Sequence, residues 1–450
     1  MRLFGTSGIR GVVGELLTPD FCRDVGMALG SSLPEGARIC IATDARLSRK
    51  MVRDAVTSGL TSAGIEVAHL GILPTPALAF LTGEMGFDVG LMITASHNPP
   101  EYNGIKVFNR DTIGYSVAQE DEIEAIYRSN NFRTGASVGS IHQDAQAGER
   151  YVERLVEKFA NRDLNRDLKI VVDPGNGAAA GFASDLFTQL GLNVIPLNDK
   201  PDGNFPGRSS EPTGKTLKGT VEFLKERNAD LAICFDGDAD RVVFCDSEGF
   251  LGFTEMVAFV SRLATKESDK KTVAATIEVG NLLDLALEDL GGKVVRGKVG
   301  DVHLAHLVRR HNAAVGVEDV GVYIMPQMGC YPESMFAALT LLSKIDSPAA
   351  IREFIRQFPC FFLEKRKIPC SNEMKETVIE RIREKAPELD PNHMNSMDGI
   401  RLDFDDGWML IRASGTEPAI RVMAESTSEA ESQELAEKGM KMVEGFIPAP

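Results

Sequence analysis

The sequence predicts an α/β protein: three related α/β units with mixed, largely parallel sheets, followed by a smaller C-terminal α+β domain. Three observations predict it. A helix end, a glycine and a β-branched strand recur at 60–72 ("LTSAGIEVAHLGI"), 186–197 ("LFTQLGLNVIPL") and 287–298 ("LEDLGGKVVRGK"). Each copy lies between an apolar strand before it and another after it that runs into a polar loop. Beyond residue 363 the pattern stops and alternating segments replace it.

The leading strands are "RICIAT" (38–43), "LKIVVD" (168–173) and "KTVAAT" (271–276). Gly64, Gly191 and Gly291 then close helices, because glycine tolerates the left-handed cap. The third strands are "VGLMITASHN" (89–98), "ADLAICFDGDADR" (229–241) and "AAVGVEDVG" (313–321). Strand, helix, strand, helix, strand describes a parallel βαβ layer. In the fourth part "LEKRKIPCSNEMKE" (363–376) reads as a linker and "VIERIREKAPEL" (378–389) as a charged helix. Residues 399–425 alternate like antiparallel strands, and a last helix follows at 431–446. The expected domains are 1–145, 146–250, 251–363 and 364–450.

Composition narrows the function. The chain has 450 residues, 43% hydrophobic and 25% charged, enough for several cores. A net charge of -16 argues against nucleic acid and anionic membranes, whose long-range fields would repel it. It leaves open an anionic small molecule, which senses local charge. The opening "MRLFGTSGIR" lacks a secretory apolar stretch, and no run is long enough to span a membrane. Seven cysteines without a CxxC pair fit reduced thiols and a cytoplasmic location.

Ligands of open α/β sheets collect at the carboxyl ends of strands, so the three third-strand loops are the places to search for chemistry. In "TASHNPPEYNGIK" (94–106), Pro99 and Pro100 exclude helix, and Gly104 is expected to let the chain return so that Lys106 covers the loop. Ser96 is a candidate nucleophile, with His97, Asn98 and Lys106 near enough to activate it. A polar loop capped by Ser96 and Asn98 is the bland alternative. The double proline and returning lysine favour function.

"DGDADR" (236–241) places Asp236, Asp238 and Asp240 at alternate positions, which in an extended chain face one side. Gly237 is expected to let the loop bend round a cation. Three hard oxygen ligands suit Mg²⁺. An EF-hand is excluded, since its glycine and glutamate positions hold Arg241 and Ser247. A phosphatase that uses Asp236 as nucleophile stays open. In "LIRASGTEPAIRV" (410–422), Arg412, Ser414, Gly415, Thr416 and Arg421 fit a phosphate dianion, with a plain β-turn as the alternative.

Other matches carry less. "GNGAAAG" (175–181) meets a loose dinucleotide fingerprint but reads as a glycine-rich helix entry. "GKT" (214–216) lacks the first glycine of a phosphate loop, since Ser209 stands there. His69, His142, His306, His311 and His393 have no metal spacing.

Together these motifs resemble the α-D-phosphohexomutase family over essentially the whole chain. "FGTSGIRG" (4–11) is similar to its opening, "TASHNPPEYNGIK" to its phosphoserine loop, "DGDADR" to its metal loop and "RASGTEPAIRV" to its phosphate loop. "GVEDVG" (316–321) stands at its sugar-recognition loop. The resemblance implies four domains around a central cleft, and an isomerase that interconverts hexose 6-phosphate and hexose 1-phosphate through a hexose 1,6-bisphosphate. It implies that Ser96 carries the phosphoryl group and binds Mg²⁺ with Asp236, Asp238 and Asp240. Arg241 would hold the phosphoryl group, Lys106 and His97 would serve proton transfer or charge, and Arg10 would approach them. Glu318 would contact sugar hydroxyls, while Arg412, Ser414, Gly415, Thr416 and Arg421 would grip the existing phosphate. The partner implied is a small hexose phosphate, with a monomer or homodimer as the unit.

The sugar loop departs from the family's usual GGE-x-SGH, with Val320 and Val322 in place of polar groups and Pro332 and Glu333 in the next segment. The pattern is most similar to archaeal-type phosphoglucosamine mutases. Phosphomannomutase or phosphoglucomutase activity, an aspartyl-phosphate enzyme and a non-catalytic sugar-phosphate binder remain alternatives.

Overall fold

The structure, a computed structural model, describes residues 2–5, 7–415 and 417–447. Its four sheets follow one another along the chain. In the first, Arg38–Thr43 lies between Glu66–Ile72 and Val89–Ile93, both parallel to it. In the second, Lys169–Asp173 lies between Asn193–Pro196 and Leu231–Phe235, and in the third Thr272–Thr276 lies between Lys293–Gly297 and Val315–Glu318. These pairings are parallel too, so the three expected units share one topology. The expected glycines take the left-handed conformation, with φ of 81° at Gly64, 78° at Gly191 and 63° at Gly291.

Each unit adds a strand that the sequence pattern did not announce. Tyr102–Asn109, Val242–Asp246 and Val322–Ile324 each return antiparallel to the third strand of their unit. The polar loops at 94–101, 236–241 and 319–321 therefore join two strands, not a strand and a helix. A short loop between paired strands is fixed at both ends, which suits groups that must hold position.

The fourth sheet is antiparallel throughout, in the order Phe362–Pro369, Ala419–Ser426, Gly407–Ala413, Ile400–Phe404, His393–Asn395. The expected linker is thus corrected. Phe362–Pro369 is an edge strand that pairs residue for residue with Ala419–Ser426, and Asn372–Lys385 is helix. The strand carries a run of charged residues, Glu364 to Lys367, on the sheet edge, which deters pairing with another chain and imitates a linker in sequence.

The largest apolar cluster runs through the first three units, from Met92 and Phe80 by Tyr151 and Phe235 to Phe336. The C-terminal domain has its own core. It meets the third unit through a small cluster of Ile277, Trp408, Leu410 and Met423.

Candidate active site

The serine loop and the aspartate loop come from different units, and the fold presses them together. Ser96 is fully buried and left-handed, with φ 50°. Its Oγ donates to Asp236 Oδ2 at 2.7 Å, and His97 Nδ1 lies 3.4 Å from the same Oγ. Ser210 Oγ, also from the second unit, donates to His97 O and Asn98 O at 2.8 and 3.0 Å. Gly237 has a reason other than the expected bend. A Cβ there would stand 2.4 Å from Ser96 O, so glycine permits the two loops to touch. The left-handed residue of the loop is Ala239, with φ 56°.

The three carboxylates converge through this turn and not through strand alternation, since the strand ends at Phe235. One oxygen from each lies within 4.8 Å of the others. Lys106 Nζ donates to Asp238 Oδ2 at 2.7 Å and to Asp240 Oδ2 at 2.6 Å. Thr75 Oγ1 also donates to Asp238 Oδ2. Lys106 reaches them because Tyr102–Asn109 runs back beside Val89–Ile93, with Lys106 opposite Met92. Gly104 is not the turn. It lies within the strand, where a Cβ would meet Ile9 O at 2.4 Å and Thr94 O at 2.6 Å.

Burial and charge act on these groups in opposite directions. Burial opposes ionisation of Asp238, but Lys106, Thr75 and Arg10 together outweigh it and hold the carboxyl below its ordinary range. Asp236 is raised well above the carboxylate range, first by burial and then by Asp240 and Asp238. Burial would discharge Lys106, yet Asp238 and Asp240 raise it above the ordinary lysine value. His97 is pushed down to about 2 by burial, with Arg241 and Arg10 adding to the effect.

A divalent cation fits this arrangement. Asp238 Oδ1 and Asp240 Oδ1 are buried with no hydrogen-bond partner among the described residues, a costly state for carboxylate oxygens.

Arg10 Nη1 donates to Asn98 Oδ1 at 3.3 Å, so the opening motif does reach the serine loop. Arg241 Nε lies 3.9 Å from Asp240 Oδ1, and Arg241 N donates to Asp236 Oδ1. Glu318 ends its strand in a buried position and accepts from Gly300 N at 2.9 Å. Burial, with Glu278 and Asp301 beside it, pushes Glu318 up to about 8. Val322 is packed in the core and takes no part. Glu333 is a structural residue: it caps the helix Ser334–Leu342 and accepts from Tyr151 Oη.

The residues expected to hold phosphate gather in the C-terminal domain. Arg412 and Arg421 are cross-strand partners, so two guanidinium groups share one patch. Arg412 Nε donates to Asp398 Oδ2 at 2.9 Å, and Arg421 lies 3.9 Å from Glu417. Ser414 Oγ accepts from Glu417 N, and Gly415 is exposed at the turn. Thr416 lies outside the described residues, as does Thr6 of the opening motif. Asp398 Oδ2 also accepts from Val299 N at 2.9 Å, next to the Gly300 that meets Glu318. Through Asp398, Arg412 is tied to the segment that meets Glu318.

Sequence reasoning passed over Asp44, Arg46, Thr75, Thr94, Ser210, Asp301, Lys375 and Asp398. Asp44 follows the carboxyl end of the first central strand, and a search of every strand end would have found it. Lys375 holds Ser414 O and Glu417 O from a helix that the linker reading had dismissed.

Models of the four phosphoglucomutase/phosphomannomutase domains match in order: α/β/α domain I at 1–134, domain II at 149–249, domain III at 254–358 and the C-terminal domain at 367–441. A probable phosphoglucosamine mutase of Pyrococcus horikoshii is 40% identical over 99% of this chain and 98% of its own length. The phosphoglucosamine mutase of Methanocaldococcus jannaschii is 36% identical over 100% of this chain and 99% of its own. The crystal structure of a phosphoglucomutase/phosphomannomutase family protein from Burkholderia thailandensis superposes with a TM-score of 0.87 at 27% identity, covering 100% of this chain and 99% of that one. The fold and these likenesses define an isomerase of the phosphohexomutase class. The chain belongs to the phosphoglucomutase/phosphomannomutase family.

Proposed function

We propose that the protein interconverts glucosamine 6-phosphate and glucosamine 1-phosphate through a phosphoserine at Ser96 and a hexose 1,6-bisphosphate. The observation that carries the reading is the 2.7 Å contact between Ser96 Oγ and Asp236, which sets a buried hydroxyl against a carboxylate triplet from another unit. Glucosamine rests on the names of the archaeal relatives.

In the first half-reaction the free hydroxyl of the bound monophosphate attacks the phosphorus of phospho-Ser96. A new P–O bond to the sugar forms as the bond to Ser96 Oγ breaks, and the hydroxyl proton passes by way of a base to the serine oxygen. The bisphosphate then turns over, and Ser96 Oγ takes the other phosphoryl group by the reverse exchange. His97 stands beside Ser96 Oγ as a neutral imidazole, within reach of that proton. Lys106 supplies fixed positive charge, and Arg241 and Arg10 add to it near the transferring group.

Ser96, Asp236, Asp238 and Asp240 would hold Mg²⁺, which supplies charge neutralisation for phosphoryl transfer. Glu318 orients sugar hydroxyls. Arg412, Ser414, Gly415, Thr416 and Arg421 hold the phosphate that is not reacting, and its binding energy positions the acceptor hydroxyl. Two stations are required because the intermediate presents its phosphates alternately. No described helix is long and apolar enough to cross a membrane. We place the enzyme in the cytoplasm, as a monomer or homodimer acting on a small anionic sugar.

The test is turnover on glucosamine, glucose and mannose phosphates primed with the matching bisphosphate, for the native chain and for Ser96→Ala. Ser96→Ala is expected to abolish turnover and an acid-stable phosphoryl label. A label that hydroxylamine removes would point to Asp236, and full turnover by Ser96→Ala would end the proposal. Preference for mannose or glucose phosphate would replace the substrate and keep the mechanism.

A further inference from the structure

Arg46 is completely buried, and all five of its guanidinium N–H groups have acceptors. Nε donates to Asp44 Oδ2 at 3.0 Å. Nη1 donates to Pro99 O and to Tyr102 O, and Nη2 to Ser96 O at 2.9 Å and Asn98 O at 2.6 Å. Four of the five acceptors are thus backbone carbonyls of the serine loop. Asp44 extends the grip, since its Oδ2 accepts from Thr94 Oγ1 at 2.7 Å, and Thr94 Oγ1 in turn accepts from Ser96 N at 2.8 Å. Both the N–H and the C=O of Ser96 are therefore held by one buried network.

Such a network has something to oppose. Ser96 adopts φ 50°, which a residue with a Cβ enters at a penalty on the order of 1 kcal/mol and keeps only when its surroundings require it. A planar fork with five fixed donors can define a loop in a way that a lysine, a single point of charge, cannot.

The second unit repeats the device. Arg208 Nε donates to Asp173 Oδ2 at 2.9 Å, Nη2 donates to Asp173 O and Phe235 O, and Thr220 Oγ1 donates to Asp173 Oδ2. Phe235 is the residue before Asp236. At the end of the first two central strands a buried aspartate and arginine brace a loop that carries the site residues.

We infer that Arg46, Asp44 and Thr94 form a positioning brace that fixes the Ser96 oxygen for phosphoryl transfer and takes no part in substrate binding. The inference rests on the phosphoserine reading above. Misplacing a reacting atom by about 1 Å lowers a rate on the order of a hundredfold. Loss of the brace therefore lowers kcat and spares KM, because the phosphate loop is untouched.

The test compares Thr94→Val, Thr94→Ser and Arg46→Lys in the full chain with Mg²⁺, reading kcat, KM and melting temperature, with Ser96→Ala alongside. Thr94→Val and Arg46→Lys are expected to lower kcat by roughly ten- to hundredfold with KM within about threefold. Thr94→Ser, which keeps the hydroxyl, is expected to restore kcat. Should Arg46→Lys fail to fold, the two Thr94 variants decide. Overturning results are a kcat within about twofold of native in folded Thr94→Val, or an equal loss in Thr94→Ser and Thr94→Val. If Ser96→Ala is dead while the brace variants turn over normally, the brace alone falls. If Ser96→Ala is active, the phosphoserine reading falls first.

Discussion

Trp408 and Glu425 stand opposite each other on neighbouring strands, and Trp408 Nε1 donates to Glu425 Oε1 at 2.8 Å. The same oxygen accepts from Asn281 N of the third unit at 2.9 Å. Arg401 lies over the indole at 4.3 Å and donates to Ile277 O and Val279 O. One buried carboxylate and one arginine thus tie the C-terminal domain to the loop after the third central strand.

Removing that carboxylate leaves two buried N–H donors without an acceptor. Glu425→Ala is expected to lower stability by about 2–4 kcal/mol, the usual consequence of stranding buried donors. Trp408 is the only tryptophan, so its emission reports this contact alone. We expect a red shift in Glu425→Ala and a smaller one in Glu425→Gln, which keeps an acceptor. Unchanged emission in Glu425→Ala would show that the contact does not shield the indole.

The acidic triplet predicts a metal dependence that can be read without activity. A cation that binds only the folded chain stabilises it by about 2.7 kcal/mol at a hundredfold excess over Kd. Mg²⁺ is expected to raise the melting temperature of the native chain, and EDTA to reverse the rise. Asp240→Asn removes a candidate ligand and lessens the repulsion within the triplet. It also weakens the buried pair with Lys106, so the readout is the response to Mg²⁺, which should be lost whatever the starting melting temperature. A full response in that variant would place the cation elsewhere.

The parts legible in the sequence were those with local causes. Gly64, Gly191 and Gly291 announced helix ends because each helix ends locally on a left-handed turn. Three aspartates within five residues announced a carboxylate cluster, though their convergence depends on a turn at Ala239 that spacing does not reveal. The strand Phe362–Pro369 was hidden because an edge strand with four consecutive charged residues has the composition of a linker. Arg46 was hidden for a different reason. Four of its five acceptors are backbone carbonyls 50 to 56 positions away, which no side-chain pattern marks.

The paired arginines of the phosphate loop predict where affinity resides. Arg412 is held by Asp398, whereas Arg421 is nearly half exposed and only loosely paired with Glu417. Arg421→Gln should raise KM for the hexose phosphate by about tenfold or more, as expected for loss of a charge-assisted phosphate contact. It should leave the melting temperature nearly unchanged, because the repulsion from Arg412 that it relieves offsets the loose pair with Glu417 that it loses. Inorganic phosphate should become a weaker competitive inhibitor in parallel. A fall in kcat with KM unchanged would assign Arg421 to the reacting phosphate instead.

Glu333 predicts how stability depends on pH. It is fully buried, and burial pushes its carboxyl up to about 7 despite hydrogen bonds from Tyr151 Oη and Phe336 N. Tyr151 and Tyr331, the phenols beside it, are pushed up by burial and stay neutral throughout the range concerned. The unfolded chain ionises this carboxyl near 4.3. Below that value both states hold the proton, and the group makes no difference. Between about 4.3 and 7 the folded state keeps a proton that the unfolded state has released, so stability falls as pH rises. Above 7 both are ionised and the loss is complete, on the order of 3 kcal/mol. Glu333→Gln has no proton to lose and retains an oxygen for Tyr151 and Phe336. The melting temperature of the variant minus that of the native chain should therefore climb from pH 5 to pH 7 and level off by pH 8. Other titrating groups are common to both proteins and cancel in the difference. A difference that stays constant over this range would mean that Glu333 is ionised in the folded protein throughout it.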